Sequence, residues 1–258
     1  MKRKHLFLAM FLSLVHILAF AQADIPIQIG FDEKQGEYVD LDVSLINEQG
    51  ERVLMRDLLG KPTILNLVYF NCPGTCSPLM WGIAKFIEQV DLKPGEDYQI
   101  LTISFDHTES IKMGIQKKAN YVTSLKNKEL AEGWHFFVSD SANIARLTES
   151  VGFNFQWVVN QYSHPTGLIA LGPDGKITRY LRGIEFLPFD IKITLIEAAS
   201  GKIGPSINRL LAICYSYDST GNQFVFNVTK VAGILIVFFS IVLLGFLFLG
   251  KKGTKKAN

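Results

Sequence analysis

Thr63-Ile64-Leu65-Asn66-Leu67-Val68-Tyr69-Phe70-Asn71-Cys72-Pro73-Gly74-Thr75-Cys76-Ser77-Pro78 sets an apolar run directly against two cysteines four residues apart. Leu79, Ile83, Phe86, Ile87 and Val90 follow at helical spacing. The run lacks polar alternation, which marks a strand buried on both faces, and the spacing after Pro78 marks a helix with one apolar side. The thiol pair therefore sits at a strand-to-helix corner. Near a helix N-terminus the unpaired N–H groups and the positive dipole end favour thiolate, which is both the nucleophile and the metal ligand. Redox chemistry, soft-metal chemistry, or both are expected here.

Outward from the corner, strand and helix patterns alternate. Leu41, Val43 and Leu45, a turn at Asn47-Glu48-Gln49-Gly50 and then Arg52-Val53-Leu54-Met55 read as a hairpin. After the corner come a helix over 79–90, a strand over 99–105, and a helix capped at Thr108 or Ser110 with Ile111, Ile115, Ala119 and Val122 on one face. A strand over 134–138 leads to a helix capped at Asp140 or Ser141, with Ile144, Leu147 and Val151 inward. Gly167-Leu-Ile-Ala-Leu171, the turn Gly172-Pro173-Asp174-Gly175 and Lys176-Ile-Thr-Arg-Tyr-Leu181 form a second hairpin. Pro188 opens a last helix that ends at Gly201. The fold class is α/β, with a mixed central sheet covered by helices on both faces and sites expected at the carboxyl ends of the strands. A cysteine pair leading the first main helix is the thioredoxin arrangement.

Both ends of the chain carry targeting signals. Lys2, Arg3 and Lys4 precede an apolar stretch over 6–20, and Ala19-Phe20-Ala21 or Ala21-Gln22-Ala23 fits a cleavage site, so residues 1–23 read as a signal peptide. Residues 231–249 are uncharged and apolar, and as a helix they reach roughly 28 Å, the hydrocarbon thickness of a bilayer. Lys251, Lys252, Lys255 and Lys256 follow, and the positive-inside bias puts this tail in the cytoplasm. The expected organisation is a leader (1–23), one exported domain (24–214), a juxtamembrane connector (215–230), a transmembrane helix (231–250) and a basic tail (251–258). The globular domain then lies on the periplasmic side of the cell membrane. Three of the 26 basic residues lie in the leader and four in the tail, leaving 19 against 24 acidic residues in the exported part. That balance gives no reason to expect nucleic acid as a partner.

The chain has three cysteines, Cys72, Cys76 and Cys214, too few for a disulfide-stapled exported fold. A bridge between Cys72 and Cys76 would close a short loop and constrain little. Their spacing puts the sulfurs at i and i+4, on one side of a helical turn, where they can close a disulfide or clasp one soft ion. Two thiolates leave such a site wanting a third ligand. His164 precedes the strand that begins at Gly167, where thioredoxin-like folds bring a cis-proline loop against the cysteine corner, and Pro165 biases it to an extended backbone. His107, after Asp106 at a strand end, is a second candidate, and His135, between Trp134 and Phe136, a third. Each also has a plain structural reading. Cys214 reads as a buried small hydrophobe or as a third thiol near the membrane.

Asn71-Cys72-Pro73-Gly74-Thr75-Cys76, the strand end Ile103-Ser104-Phe105-Asp106, and His164 ahead of Gly172-Pro173-Asp174-Gly175 together resemble the Sco/SenC family of thioredoxin-like copper proteins, over about residues 36 to 200. Gly183-Ile184-Glu185, the stretch from Glu197 to Gly204, and Cys214-Tyr215-Ser216-Tyr217-Asp218 before an apolar span further resemble a C-terminally anchored bacterial branch. The resemblance implies a copper metallochaperone for the CuA centre of cytochrome c oxidase, whose CuA-bearing subunit is the implied partner. Cys72, Cys76 and His164 are the implied ligands of Cu(I) or Cu(II), and a thiol-disulfide role on the oxidase's cysteines is implied as well. The sequence departs from the family pattern at Ser77-Pro78, where Cys-Pro is common, and at Asp106-His107, where Asp-Pro is usual. The rival reading is a membrane-anchored thiol-disulfide oxidoreductase or thiol peroxidase, with Cys72 attacking and Cys76 resolving.

Overall fold

The run that opens the corner forms strand β4 (Thr63–Val68), and all six of its residues are buried. It is central because it is apolar on both faces. In the computed structural model, which describes residues 29–204 and the backbone of Tyr215–Asp218 and Gln223–Phe226, β4 lies in a five-stranded sheet. Its parallel neighbour is β5 (Gln99–Ser104), followed by β6 (Trp134–Phe137). On the other side β10 (Gly167–Leu171) and β11 (Ile177–Arg182) pair antiparallel, giving the order β11-β10-β4-β5-β6. The register Val68↔Ser104 and Ile103↔Phe137 aligns the carboxyl ends of the three parallel strands at one edge, the edge that carries the cysteine corner.

The helices fall where the pattern places them, numbered from a one-turn α1 (Met55–Leu58). They are α2 (Cys76–Gln89), α3 (Ile111–Val122), α4 (Ser141–Ser150) and α5 (Pro188–Ala199). In α3, however, Ile115 and Ala119 face solvent and Gly114 and Tyr121 are the buried residues, which corrects the expected apolar face. The Asp140 carboxylate caps α4 by accepting the Asn143 N–H at 2.9 Å. The α3 helix packs on β6, α5 on β10 and β11, and α2 against both α3 and α5, while every residue of β4 and β5 is buried, so both faces of the central strands are covered. The first hairpin is shorter than the pattern suggests, with only β2 (Ser44–Ile46) and β3 (Arg52–Leu54) paired. Its Glu48 carboxylate accepts from the Phe136 N–H and from Lys118, holding the hairpin over the edge strand β6.

Several short strands have no counterpart in the sequence reading. β1 (Gly30–Phe31) pairs with β7 (Phe153–Asn154), and β8 (Gln156–Val158) pairs with β9 (Gln161–Ser163) in a hairpin that leads straight into His164. A backbone hairpin of β12 (Tyr215–Asp218) and β13 (Gln223–Phe226) occupies part of the expected connector. The leader, Cys214, the apolar span and the basic tail lie outside the described residues. Among the described residues no helix is long and apolar enough to cross a membrane.

At Gly82 the backbone beyond β11 comes close against the cysteine helix. A Cβ there would collide with the Ile184 carbonyl oxygen, so the segment leaving β11 rests directly on α2. Replacing a helical glycine by alanine ordinarily gains about 0.5–1 kcal/mol. Gly82→Ala is expected to have the opposite sign, costing about 2 kcal/mol through overpacking, read as a lower urea midpoint at unchanged slope.

Candidate metal centre

The sulfurs of Cys72 and Cys76 and the imidazole of His164 converge, with one ligand atom from each lying within 4.8 Å of the others. Both cysteines are free thiols. Cys76 is the first residue of α2 and is buried; Cys72 lies before the helix and is half-buried. The sulfurs therefore do not meet along one helical turn as the spacing suggested. The loop after β4 curls back instead, with the Cys72 N–H on the Tyr69 carbonyl at 3.2 Å and the Gly74 N–H on Cys72 Sγ at 3.3 Å.

A carboxylate that the sequence reading overlooked holds this loop. Glu109 is 6% exposed. One of its oxygens accepts from the Phe70 N–H at 2.6 Å and from the Ser104 hydroxyl at 2.7 Å, and the other accepts from the Asn71 N–H at 2.7 Å. Charge-assisted bonds of this length are the strong kind, and these three tie the carboxyl ends of β4 and β5 together beside Cys72. The nearest sequence signal was an acidic residue just after a strand end, which by itself predicts nothing.

His164 enters from the opposite side. Its Nδ1 lies 2.9 Å from the Pro165 carbonyl, an acceptor, so Nδ1 carries the proton and the Nε2 lone pair faces Cys76 Sγ at 3.7 Å. The ring is 8% exposed and packs among Tyr69, Phe105 and Phe153, with centroids at 5.7, 5.2 and 6.3 Å. Thr166 donates to the Thr75 hydroxyl at 3.2 Å, fastening the histidine loop to the cysteine loop. The described residues contain no cis peptide bond, so the loop reaches the corner with Pro165 trans.

The two thiols differ in charge. Hydrogen bonding from the Cys76 thiol, together with the Cys76 and Gly74 N–H groups, outweighs burial and pulls Cys72 from 9.0 down to about 3. Burial, then the neighbouring Cys72, pushes Cys76 well up. The helix terminus does not act alone on the pair: donors around Cys72 favour its thiolate, while burial opposes ionisation of Cys76. Burial, reinforced by the charge of Cys72, likewise keeps the Tyr69 phenol protonated.

Of the other candidates, His107 is exposed and His135 sits on β6 opposite Leu101, its pKa lowered first by burial and then by Lys118. Neither belongs to the cluster. Two sulfurs and a neutral imidazole nitrogen form a soft donor set. At bond lengths of about 2.3 Å to sulfur and about 2.0 Å to nitrogen, donors in a trigonal plane stand roughly 3.7 Å apart, so the Cys76–His164 spacing fits one bound ion.

The SCO1/SenC family model matches residues 31–186. The chain belongs to the SCO1/SenC family. The SCO1 protein homolog of Bacillus subtilis (strain 168) is 25% identical over 164 residues, which is 60% of this chain and 79% of that one. A solved structure from Aquifex aeolicus VF5 superposes with a TM-score of 0.59 at 24% identity, over 65% of this chain and 95% of its own. Yeast Sco1 with copper bound superposes with a TM-score of 0.50 at 16% identity, over 69% and 94%. The SCO1/SenC fold of this chain is the thioredoxin-like α/β sheet described above.

Two outcomes test this geometry. Because the Cys72 pKa lies far below its ordinary value, its thiolate persists as pH falls. Iodoacetamide should alkylate Cys72 at a rate that changes less than about twofold from about pH 8 to about pH 5 and drops only towards about pH 3, with Cys76 spared until unfolding, as peptide mapping would show. Glu109→Ala leaves the Phe70 and Asn71 N–H groups without their acceptor, the Ser104 hydroxyl still reaching the Asp106 carbonyl, and is expected to cost about 2 kcal/mol in urea unfolding.

Proposed function

We propose that this protein carries one copper ion on Cys72, Cys76 and His164 and delivers it in assembly of the CuA centre of cytochrome c oxidase. The observation that carries the reading is the convergence of those three donors, with the histidine tautomer already set to offer Nε2. Copper is the cargo in this reading, held to be passed on. Two sulfurs favour Cu(I), and the imidazole nitrogen also accommodates Cu(II). Support also comes from family membership and from yeast Sco1, which has been solved with copper bound. Within this proposal the domain is exported and tethered to the membrane by residues 231–250, with the basic tail in the cytoplasm. Tethering confines the carrier to the surface of its acceptor, the CuA-bearing subunit, and raises effective concentration without any added contact.

The asymmetry of the thiols favours a second activity at the same corner. The Cys72 thiolate can attack an acceptor disulfide, displacing one acceptor sulfur as thiolate, and Cys76, once deprotonated, attacks Cys72 to release the other. The acceptor pair gains two electrons and the Cys72–Cys76 pair becomes a disulfide. An acceptor reduced in this way is ready to take metal. In the rival reading, a pure thiol-disulfide oxidoreductase or thiol peroxidase, His164 only lines the pocket.

Copper stoichiometry on the full chain in detergent separates these readings. About one Cu(I) per chain is expected for the wild type, with retention lost in Cys72→Ala and Cys76→Ala and weakened about a hundredfold or more in His164→Ala. Full copper in the cysteine variants would reject the site. Unchanged copper retention in His164→Ala, with disulfide turnover intact, would favour the oxidoreductase.

A further inference from the structure

The β8–β9 hairpin presents an apolar tip that the fold does not use. Trp157 is 56% exposed, Val158 40% and Val159 88%. Val158 pairs with Gln161, which leaves Val159-Asn160 as a two-residue turn with φ of 44° and 63°. Such turns favour Asn-Gly, and a β-branched residue in this left-handed region is strained. The strain and the exposure fall on the same side chain, Val159, where asparagine would serve the backbone better.

This hairpin is continuous with the metal centre. Trp157 packs edge-on to Tyr162 at 4.7 Å, Tyr162 to Tyr69 at 5.3 Å, and Tyr69 to His164 at 5.7 Å. At about 3.3 Å per residue the tip extends roughly 10 Å along the strands from the Gln156–Ser163 pair beside His164. The formal charges that face the hairpin and the cysteine corner are the carboxylates of Asp106 and Glu109, and Glu109 is buried and hydrogen-bonded. Residues 150–173 and 62–84, which supply the hairpin, the histidine and both cysteines, contain no Asp, Glu, Lys or Arg.

We propose that the hairpin tip, with Val159 at its apex, is a docking lip for a protein acceptor that presents its metal-binding thiols on an uncharged, apolar surface. The proposal rests on the copper-carrier reading and adds how the acceptor is recognised. Ligand exchange requires the acceptor's sulfurs to come within bonding distance of an ion held by two buried or half-buried donors and Cys72, so the acceptor surface must press against what adjoins them. An anionic surface pressed there would lose its hydration and meet the carboxylates of Asp106 and Glu109. A neutral apolar surface gains by covering Val158 and Val159.

The test follows copper transfer from the loaded full chain to two acceptors, a reduced apo CuA domain and the small chelator bicinchoninate. Val159→Asn removes the aliphatic apex while suiting the left-handed turn, so its thermal midpoint should not fall below wild type. Transfer to the CuA domain should slow about tenfold in Val159→Asn and about a hundredfold in Val158→Ser/Val159→Asn, while Val159→Ile stays near wild type. Transfer to bicinchoninate should be unchanged in all three. Raising salt from about 20 mM to about 500 mM should alter the protein-to-protein rate less than about twofold. Wild-type transfer to the CuA domain in Val159→Asn, a steep salt dependence, or equal slowing to the chelator would each overturn the lip. Slowing present in lipid nanodiscs and absent in micelles would assign the tip to the bilayer and overturn it too. If wild type holds copper yet never passes it to the CuA domain, the carrier reading itself fails.

Discussion

The buried carboxylate of Glu109 holds the ends of β4 and β5 in one arrangement. Three donors, two of them the successive N–H groups of Phe70 and Asn71, spend their hydrogen bonds on it. A chain leaving a buried strand must satisfy its backbone groups somewhere, and here they are satisfied by a side chain from across the corner rather than by a regular turn. That choice frees the following residues to curl instead of continuing into α2. Cys72 then ends up outside the helix, half-buried, with its sulfur turned back towards Cys76 and His164.

The histidine side is organised by packing rather than by charge. Tyr69, Phe105 and Phe153 surround the imidazole, and the Pro165 carbonyl fixes which nitrogen carries the proton. The result is a nitrogen lone pair aimed at a thiol in a largely dry pocket. The same pocket separates the two cysteines electrostatically: the one with donors around it ionises, and the one sealed by the core does not. In the proposed function a thiolate beside a thiol would serve both a soft cation and disulfide exchange, with no separate machinery.

Much of the fold was legible because its strongest signals are local. The run of β4, the 3.6-residue spacing of α2 and α4, the Asp140 cap and the Gly172-Pro173-Asp174-Gly175 turn each express a backbone preference within a few residues. The inward face of α3 was misread, because Gly114 and Tyr121, not Ile115 and Ala119, meet the core. The β8–β9 hairpin was not legible, since its turn is Val159-Asn160 and carries none of the glycine that marks such turns. The pairing of β1 with β7 joins two-residue strands more than a hundred residues apart, too short and too distant to leave a periodic trace.

The amino-acid sequence by itself determined that two thiols would stand at a strand-to-helix corner in an α/β sheet, because strand burial and helix amphipathicity are written in residue spacing. Its resemblance to the SCO1/SenC family also pointed to His164 as a third donor, with His107 and His135 as further candidates by position. Only the tertiary structure shows His164 beside both sulfurs, leaves His107 in solvent and seals Cys76 more deeply than Cys72, because convergence and burial depend on which distant segments pack together.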